Sequence, residues 1–173
     1  MVPIEEAAAK IRVAAEARSA NSDLLILART DARTTYGLDE ALRRAEAFAR
    51  AGADVLFVES PESEQELERI GAALASTELS LMVNVVEGGK TPVLPKERYA
   101  ELGFQLAIYP ATGFLAAGRG LESVYGHLKA TGSSRGVESE LTDFTQFSKT
   151  MGFERVWEFD HIHADYVPDK PGN

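Results

Sequence analysis

Residues 24–32 read Leu-Leu-Ile-Leu-Ala-Arg-Thr-Asp-Ala, and this segment indicates the fold most directly. Its first half is an apolar run typical of a buried β-strand, and the run ends in a guanidinium, a hydroxyl and a carboxylate. Three later stretches repeat the pattern of an apolar run before a polar side chain: 54–58 before Glu59, 81–83 before Asn84, and 104–108 before Tyr109. Stretches with helical periodicity separate these runs, so the sequence predicts an α/β fold with four parallel strands.

The helices are predicted from apolar spacing and from residues that favour helix ends. Ser63 and Glu66 have the spacing of a capping box, and Pro95 has the fixed backbone angle that suits a helix start. The predicted helices lie at 3–18, 38–48, 63–75, 95–102 and 114–129, with one more that Thr142 caps and that runs to about 151.

The polar groups at the strand ends form the candidate site. The carboxyl ends of parallel strands meet at one edge of a sheet, which is where α/β barrels keep their sites. We therefore expect four side chains to converge on one ligand: Arg29, Glu59, Asn84 and Tyr109. The Arg29 guanidinium is suited to bidentate binding of a carboxylate or phosphoryl group. The alternative is that Arg29 and Asp31 neutralise one another, which makes Asp31 a structural partner.

The other three candidates each have a structural alternative. Glu59 could accept a hydrogen bond or help to hold the surroundings of a metal ion, or it could be an exposed loop carboxylate. Asn84 lies between apolar residues, where its amide requires partners that either a ligand or the backbone can provide. Tyr109 is either an acid in the site or a packed aromatic side chain.

Composition excludes several classes of function. The 173 residues are 45% hydrophobic and carry a formal charge of −9 without a block of lysine and arginine, which argues against binding to nucleic acid or to an anionic membrane. No apolar run has the length of a bilayer span, so we expect a cytoplasmic protein that binds small molecules or other proteins. The lack of cysteine excludes disulfides, thiolate metal sites and a cysteine nucleophile within this chain.

The predicted sheet has too few strands to close. Four βα units are half of an eight-stranded barrel, and an open parallel sheet with apolar edge strands is prone to aggregate. We therefore expect the other half to be missing or supplied by a partner. We divide the chain into a partial barrel at 1–130 and a helical extension and tail at 131–173.

Four motifs occur in an order and spacing that identify a family. They are Ala-Arg-Thr-Asp-Ala at 28–32; Ala-Gly-Ala-Asp at 51–54 followed by Phe57-Val58-Glu59; Met82-Val83-Asn84 with Gly88-Gly89-Lys90-Thr91-Pro92; and Leu102-Gly103-Phe104 running to Tyr109-Pro110. With them the chain resembles the isocitrate lyase and phosphoenolpyruvate mutase superfamily over about residues 3–130. The resemblance implies the C-terminal half of a TIM-type (β/α)8 barrel, with four parallel βα units followed by C-terminal helices.

The resemblance also implies a chemistry. Such enzymes make or break C–C or P–C bonds next to a 2-oxo acid through an enolate-like intermediate, with Mg²⁺ as cofactor. Arg29, Glu59 and Asn84 fall on catalytic or substrate-pocket positions: Arg29 would bind the carboxylate or phosphonyl group, and Glu59 and Asn84 would hydrogen-bond the substrate, a neighbouring side chain or metal-bound water. Tyr109 and Pro110 fall on substrate-binding positions.

The chain lacks the family's metal-binding aspartates and its Cys-Gly-His loop, so the resemblance implies no metal ligand here. Its first residues resemble the segment just after that loop. Leu115 stands where methylisocitrate lyases tend to have an arginine, which favours a smaller diacid, as in oxaloacetate decarboxylases and dimethylmalate lyases; phosphonomutase chemistry stays open.

Two hypotheses follow from the resemblance. The first is a lyase or mutase whose other half binds Mg²⁺. The second is a catalytically inactive, truncated homologue or interaction subunit that forms a homo-oligomer or pairs with a full-length relative. Exchange of a C-terminal helix between subunits is common in the family, and the helices after Leu141 would suit that role.

Overall fold

A computed structural model describes residues 1–18 and 23–164 of the chain. The tail at 165–173, which is the end of the predicted extension, lies outside the described residues. Strands and helices alternate as predicted. The elements are α1 (Ile4–Ala17), β1 (Leu27–Thr30), α2 (Ala32–Tyr36), α3 (Leu38–Arg50), β2 (Val55–Val58), α4 (Glu64–Leu74), β3 (Ser80–Asn84), α5 (Lys96–Glu101), β4 (Leu106–Ile108), α6 (Thr112–Thr131), α7 (Phe144–Thr150) and α8 (Phe153–His163).

The four strands form one parallel sheet in the order β1-β2-β3-β4. The register places one residue of each strand side by side across the sheet: Arg29, Phe57, Met82 and Leu106. Parallel neighbours require a crossover between strands, and the intervening helices provide it. The predicted four-stranded parallel α/β fold is confirmed.

The sheet buries its two faces differently. Strand residues such as Ala28, Leu56 and Val83 join the main core, in which the helices contribute Leu67 and Ile70. On the opposite face a smaller cluster contains only Val55, Phe57 and Met82, with Ile108 packed against it. At the edges of that face Leu27 and Leu106 are 40% and 43% exposed. In a complete (β/α)8 barrel the face opposite the helices is the packed interior, so this sheet presents an incompletely covered interior face.

The chain divides into two compact units, Met1–Ala116 and one that begins at Ala117. The second unit contains most of α6 together with α7 and α8. Asp143 caps α7 by accepting a hydrogen bond from the Gln146 amide at 2.9 Å, so the prediction that Thr142 is the cap was wrong by one residue. A carboxylate at this position also interacts favourably with the helix dipole. Within 1–18 and 23–164 no helix is long and apolar enough to cross a membrane.

Candidate functional site

Three strands bring the predicted site residues to one edge of the sheet. Arg29 is the third residue of β1, Glu59 follows β2 directly, and Asn84 ends β3. Side chains alternate between the faces of a strand, and Arg29 shares its face with Phe57 and Met82 of the interior cluster. Glu59 and Asn84 each lie two residues further on, which places them on that same face near the carboxyl ends of their strands.

The Arg29 guanidinium is held by two carboxylates. Its Nε and Nη2 donate to the two oxygens of Asp31 at 3.0 and 2.7 Å, and its Nη1 lies 3.1 Å from Oε2 of Glu59. The guanidinium carbon also lies 5.0 Å from the centre of the Phe57 ring, a cation–π arrangement. Each of the three guanidinium nitrogens therefore lies within hydrogen-bond or ion-pair distance of a carboxylate.

Glu59 connects the strands of the site. Its side chain is only 12% exposed, and besides Arg29 it accepts from Ser60 Oγ at 3.1 Å and, over longer contacts of 3.4 and 3.5 Å, from Nδ2 of Asn84. Ser60 has a φ of +58°, a left-handed conformation that is uncommon outside glycine. The backbone is thus strained next to the carboxylate at the centre of the site.

Asn84 has a buried acceptor without a partner. The Nδ2 group of Asn84 faces the Glu59 carboxylate, because an N–H donor is attracted to a negative charge. The Oδ1 atom therefore points away from Glu59, and within the described residues it has no hydrogen-bond partner. A buried, unsatisfied carbonyl costs about 1–3 kcal/mol. Such a cost is tolerated at sites where a ligand or another chain provides the missing donor.

The charges of the site are unbalanced. The hydrogen bond from Arg29 lowers the pKa of Asp31 below its ordinary value, and the same bond is the main cause that raises the pKa of Arg29. Arg29 and Asp31 are therefore charged near neutral pH, and the one guanidinium faces two carboxylate side chains. The cluster of Arg29, Asp31 and Glu59 carries a formal charge of −1.

The structure leaves two of the predicted site residues outside this cluster. Tyr109 and Pro110 follow β4 at the same edge of the sheet, and both are exposed. Within residues 1–18 and 23–164, Tyr109 makes no hydrogen bond with Arg29, Glu59 or Asn84. Its side chain instead contributes to raising the pKa of Tyr99, for which burial of the phenol is the larger cause. Substrate binding by Tyr109 and Pro110 stays a prediction.

A second ion network borders the site, and the sequence patterns did not reveal it. Arg33 of α2 donates to both oxygens of Glu66 at 2.9 and 2.8 Å and also contacts Glu62, and Lys90 lies 3.0 Å from Glu62. The predicted cap is present, because Ser63 Oγ accepts from the Glu66 amide. The Glu66 carboxylate, however, accepts from the Glu62 amide and binds Arg33, which the spacing of a capping box does not specify.

The carboxylates at the described positions do not form a metal site. In the described part of the chain no group of three or more histidine, aspartate or glutamate side chains is arranged to hold a metal ion. Asp31 and Glu59, the two acidic groups of the site, both bind the Arg29 guanidinium instead. A divalent cation would have to displace a positive charge to reach them, so these residues do not fit a primary Mg²⁺ ligand set.

Comparisons with known proteins identify the family of the chain. The Phosphoenolpyruvate phosphomutase family profile matches residues 1–128. The chain is 40% identical over 164 residues to the 2,3-dimethylmalate lyase of Eubacterium barkeri, a match that covers 95% of this chain and 55% of that enzyme. Among solved structures it is similar to oxaloacetate acetylhydrolase in complex with oxalate, with a TM-score of 0.84 and 27% identity over 95% of this chain and 56% of that one.

A further similar structure is phosphonopyruvate hydrolase in complex with oxalate and Mg²⁺, with a TM-score of 0.79 and 26% identity over 96% of this chain and 57% of that one. The chain spans about half the length of the curated relatives that it matches. Its four strands therefore correspond to part of a TIM barrel in these neighbours.

Proposed function

The chain belongs to the isocitrate lyase and phosphoenolpyruvate mutase superfamily, and from that premise we propose that it supplies the anion-binding half of a lyase or phosphonomutase active site. The substrate is a small 2-oxo or 2-hydroxy diacid such as oxaloacetate or a substituted malate. The observation that supports this most directly is Arg29, a guanidinium held at the strand ends between Asp31 and Glu59 on the interior face of the sheet.

Each residue has a role in this proposal. Arg29 binds a carboxylate or phosphonyl oxygen of the substrate, because a planar guanidinium matches the geometry of such groups. Glu59, largely buried and bonded to Arg29, keeps the guanidinium at the strand ends. Asn84 offers its unsatisfied Oδ1 to a donor such as the hydroxyl of a 2-hydroxy acid.

The reaction places charge close to these groups. In oxaloacetate the C3–C4 bond breaks, C4 leaves as carbon dioxide, and the electron pair stays on C3 as the enolate of pyruvate, which then takes up a proton. In a substituted malate the C2–C3 bond breaks, the 2-hydroxyl loses its proton as C2 becomes the carbonyl carbon of the 2-oxo acid, and the electron pair stays on C3. In both reactions the fragment that keeps the electron pair carries a carboxylate. The negative charge that develops requires fixed positive charge or hydrogen-bond donors. Arg29 fixes the carboxylate of that fragment and so orients the breaking bond. We propose Mg²⁺ as the cofactor of the complete barrel, with ligands from residues outside this chain.

A covalent fusion tests this proposal. The part of the Eubacterium barkeri enzyme that precedes the matched segment is joined to Met1 of this chain, and the product is incubated with oxaloacetate or 2,3-dimethylmalate. We expect pyruvate to form, measured with lactate dehydrogenase and NADH, and we expect EDTA to abolish its formation. A folded fusion that turns over neither these acids nor phosphonopyruvate would contradict the proposal.

The interior face of the sheet supports a second candidate function, that of an interaction subunit. Leu27 and Leu106 at its two edges are exposed apolar side chains. In a complete barrel, side chains from the other strands cover this interior face. We propose that the chain covers the face by homo-oligomerisation or by pairing with a full-length relative. Sedimentation velocity tests this candidate, because a stable monomer over the micromolar range would contradict it.

A further inference from the structure

Asp31 occupies the part of Arg29 that is best suited to bind a substrate carboxylate. The Nε and Nη2 of Arg29, called here the Arg29 fork, present two parallel N–H groups, and Asp31 accepts from both at 3.0 and 2.7 Å. Substrate carboxylates bind arginine in the same bidentate manner. An anion that approaches the fork therefore meets an internal carboxylate in the position that it would take.

The two carboxylates around Arg29 differ in how easily they can leave. The side chain of Asp31 is 57% exposed, and within the described residues Arg29 is its only hydrogen-bonding partner. Glu59 is 12% exposed and also bonds to Ser60 and Asn84. An exposed carboxylate is rehydrated at little cost when its ion pair opens, whereas a buried one loses partners that water does not replace.

Electrostatic repulsion also favours the departure of Asp31 when a second carboxylate approaches Arg29. The cluster of Arg29, Asp31 and Glu59 carries a formal charge of −1, so adding a dicarboxylate next to Asp31 would bring several negative charges around one guanidinium. Departure of Asp31 leaves Arg29 and Glu59, which together are neutral. Asp31 is not needed to cap α2 either, because its side chain makes no capping hydrogen bond there.

We propose that Asp31 is a displaceable counter-ion of Arg29: it holds the Arg29 fork in the ligand-free chain and swings into solvent when a substrate carboxylate binds there. This inference rests on the proposed function, in which Arg29 is the anion anchor, and it adds a residue that sets anion affinity. Asp31 thus keeps adventitious monocarboxylates off the fork, while a dianionic ligand gains enough from Arg29 to displace it.

The test is an oxalate titration of the full chain at low ionic strength, followed by NMR through the Arg29 Nε–H signal. We expect Asp31→Asn to bind oxalate roughly three- to fivefold more tightly than the unchanged chain, because an exposed ion pair contributes up to about 1 kcal/mol. Asp31→Glu restores a competing carboxylate and should return the affinity toward that of the unchanged chain.

Asp39→Asn is the matched control. Asp39 is also an exposed aspartate paired with an arginine, Arg69, so its removal changes the net charge equally. We expect its oxalate affinity to stay within about twofold of the unchanged chain, since the fork is not touched. If Asp39→Asn gains as much oxalate affinity as Asp31→Asn, the effect comes from the change in net charge and the proposal is overturned.

The opposite result is equally decisive. If Asp31 only braces Arg29, Asp31→Asn will bind oxalate no better than the unchanged chain, or not at all, and either outcome overturns the proposal. Failure of the proposed function is a separate observation, because it is measured as absence of turnover by the fused barrel, whereas the exchange is measured as oxalate affinity of this chain.

Discussion

Gly71 in the middle of α4 lies directly against the backbone carbonyl of Leu102, at the end of α5. A Cβ built on Gly71 would stand 1.8 Å from that oxygen. The two segments that flank β3 thus approach each other through a contact that only glycine permits. Because the obstacle is backbone rather than the tip of a flexible side chain, it cannot move aside without shifting α4 or α5.

We therefore expect Gly71→Ala to lower the free energy of unfolding by about 2–4 kcal/mol, measured by urea denaturation. Gly118→Ala is the control, since a Cβ there meets nothing within 4 Å and alanine favours a helix over glycine. Equal stability of the two variants would mean that α4 and α5 do not pack this closely.

Arg33 gives the stability of the fold a defined dependence on pH. Its hydrogen bonds are the main cause that lowers the pKa of Glu66, so this carboxylate contributes stability above its ordinary pKa, and the contribution is lost as the pH falls through the lower folded value. We expect Arg33→Gln to lower the free energy of unfolding by about 1–2 kcal/mol at pH 7, and by progressively less below about pH 4.5.

The control for this prediction is Arg43→Gln, because Arg43 pairs with Glu40 on an exposed helix surface and Glu40 keeps a second partner in Arg44. It should change stability little at any pH. A deficit in Arg33→Gln that stays constant from pH 7 to pH 3 would mean that the effect comes from packing rather than from the ionisation of Glu66.

Tyr99 anchors the loop that follows β3. Its hydroxyl donates to the Pro92 carbonyl at 2.5 Å and accepts from the Leu94 amide at 3.2 Å, while the ring is buried. We expect Tyr99→Phe to cost about 1–2 kcal/mol and to speed hydrogen exchange at the Leu94 amide. Tyr36→Phe, at an exposed position, should do neither. Unchanged exchange at Leu94 would refute the anchoring role.

Arg29→Lys tests the anion anchor. Lysine keeps the positive charge but loses the planar fork, so it cannot bind two oxygens in parallel. In the fused barrel we expect kcat/KM to fall at least tenfold, with about tenfold weaker oxalate binding by the chain. Arg69→Lys, at an ion pair away from the site, should leave both quantities unchanged. If Arg29→Lys keeps full activity, Arg29 is not the anion anchor that we propose.

The open face of the sheet predicts self-association. We expect the chain to sediment as a dimer or larger species, and Leu106→Lys to shift it toward monomer, because a charge on an apolar edge strand opposes pairing. Val13→Lys is the control, because it also replaces an exposed apolar side chain with lysine, but on α1 rather than on an edge strand. If both variants sediment like the unchanged chain, the interior face does not hold the assembly together.

The order of the helices and strands, and the alignment of the site residues at one edge of the sheet, could be predicted from local sequence patterns. Apolar runs and the capping pattern at Ser63 are local signals, and they predicted the order of the strands and the start of α4. The bounds were less accurate, because β1 covers Leu27–Thr30 whereas the apolar run begins at Leu24, and Leu24 and Leu25 are exposed. Since parallel strands end at one edge, the positions of Arg29, Glu59 and Asn84 could be inferred without knowing any contact. The short helix α2 and the helix α8 were missed, because neither carries a clear apolar period of its own.

Which side chains bind one another became clear only from the three-dimensional fold. Arg29 pairs with Asp31 and Glu59, and Phe57 lies beneath the guanidinium. The same holds for the pairing of Arg33 with Glu66 across 33 positions of sequence. Partner choice depends on rotamers, burial and strand register, which are properties of the assembled fold, and a local pattern of residues does not contain them.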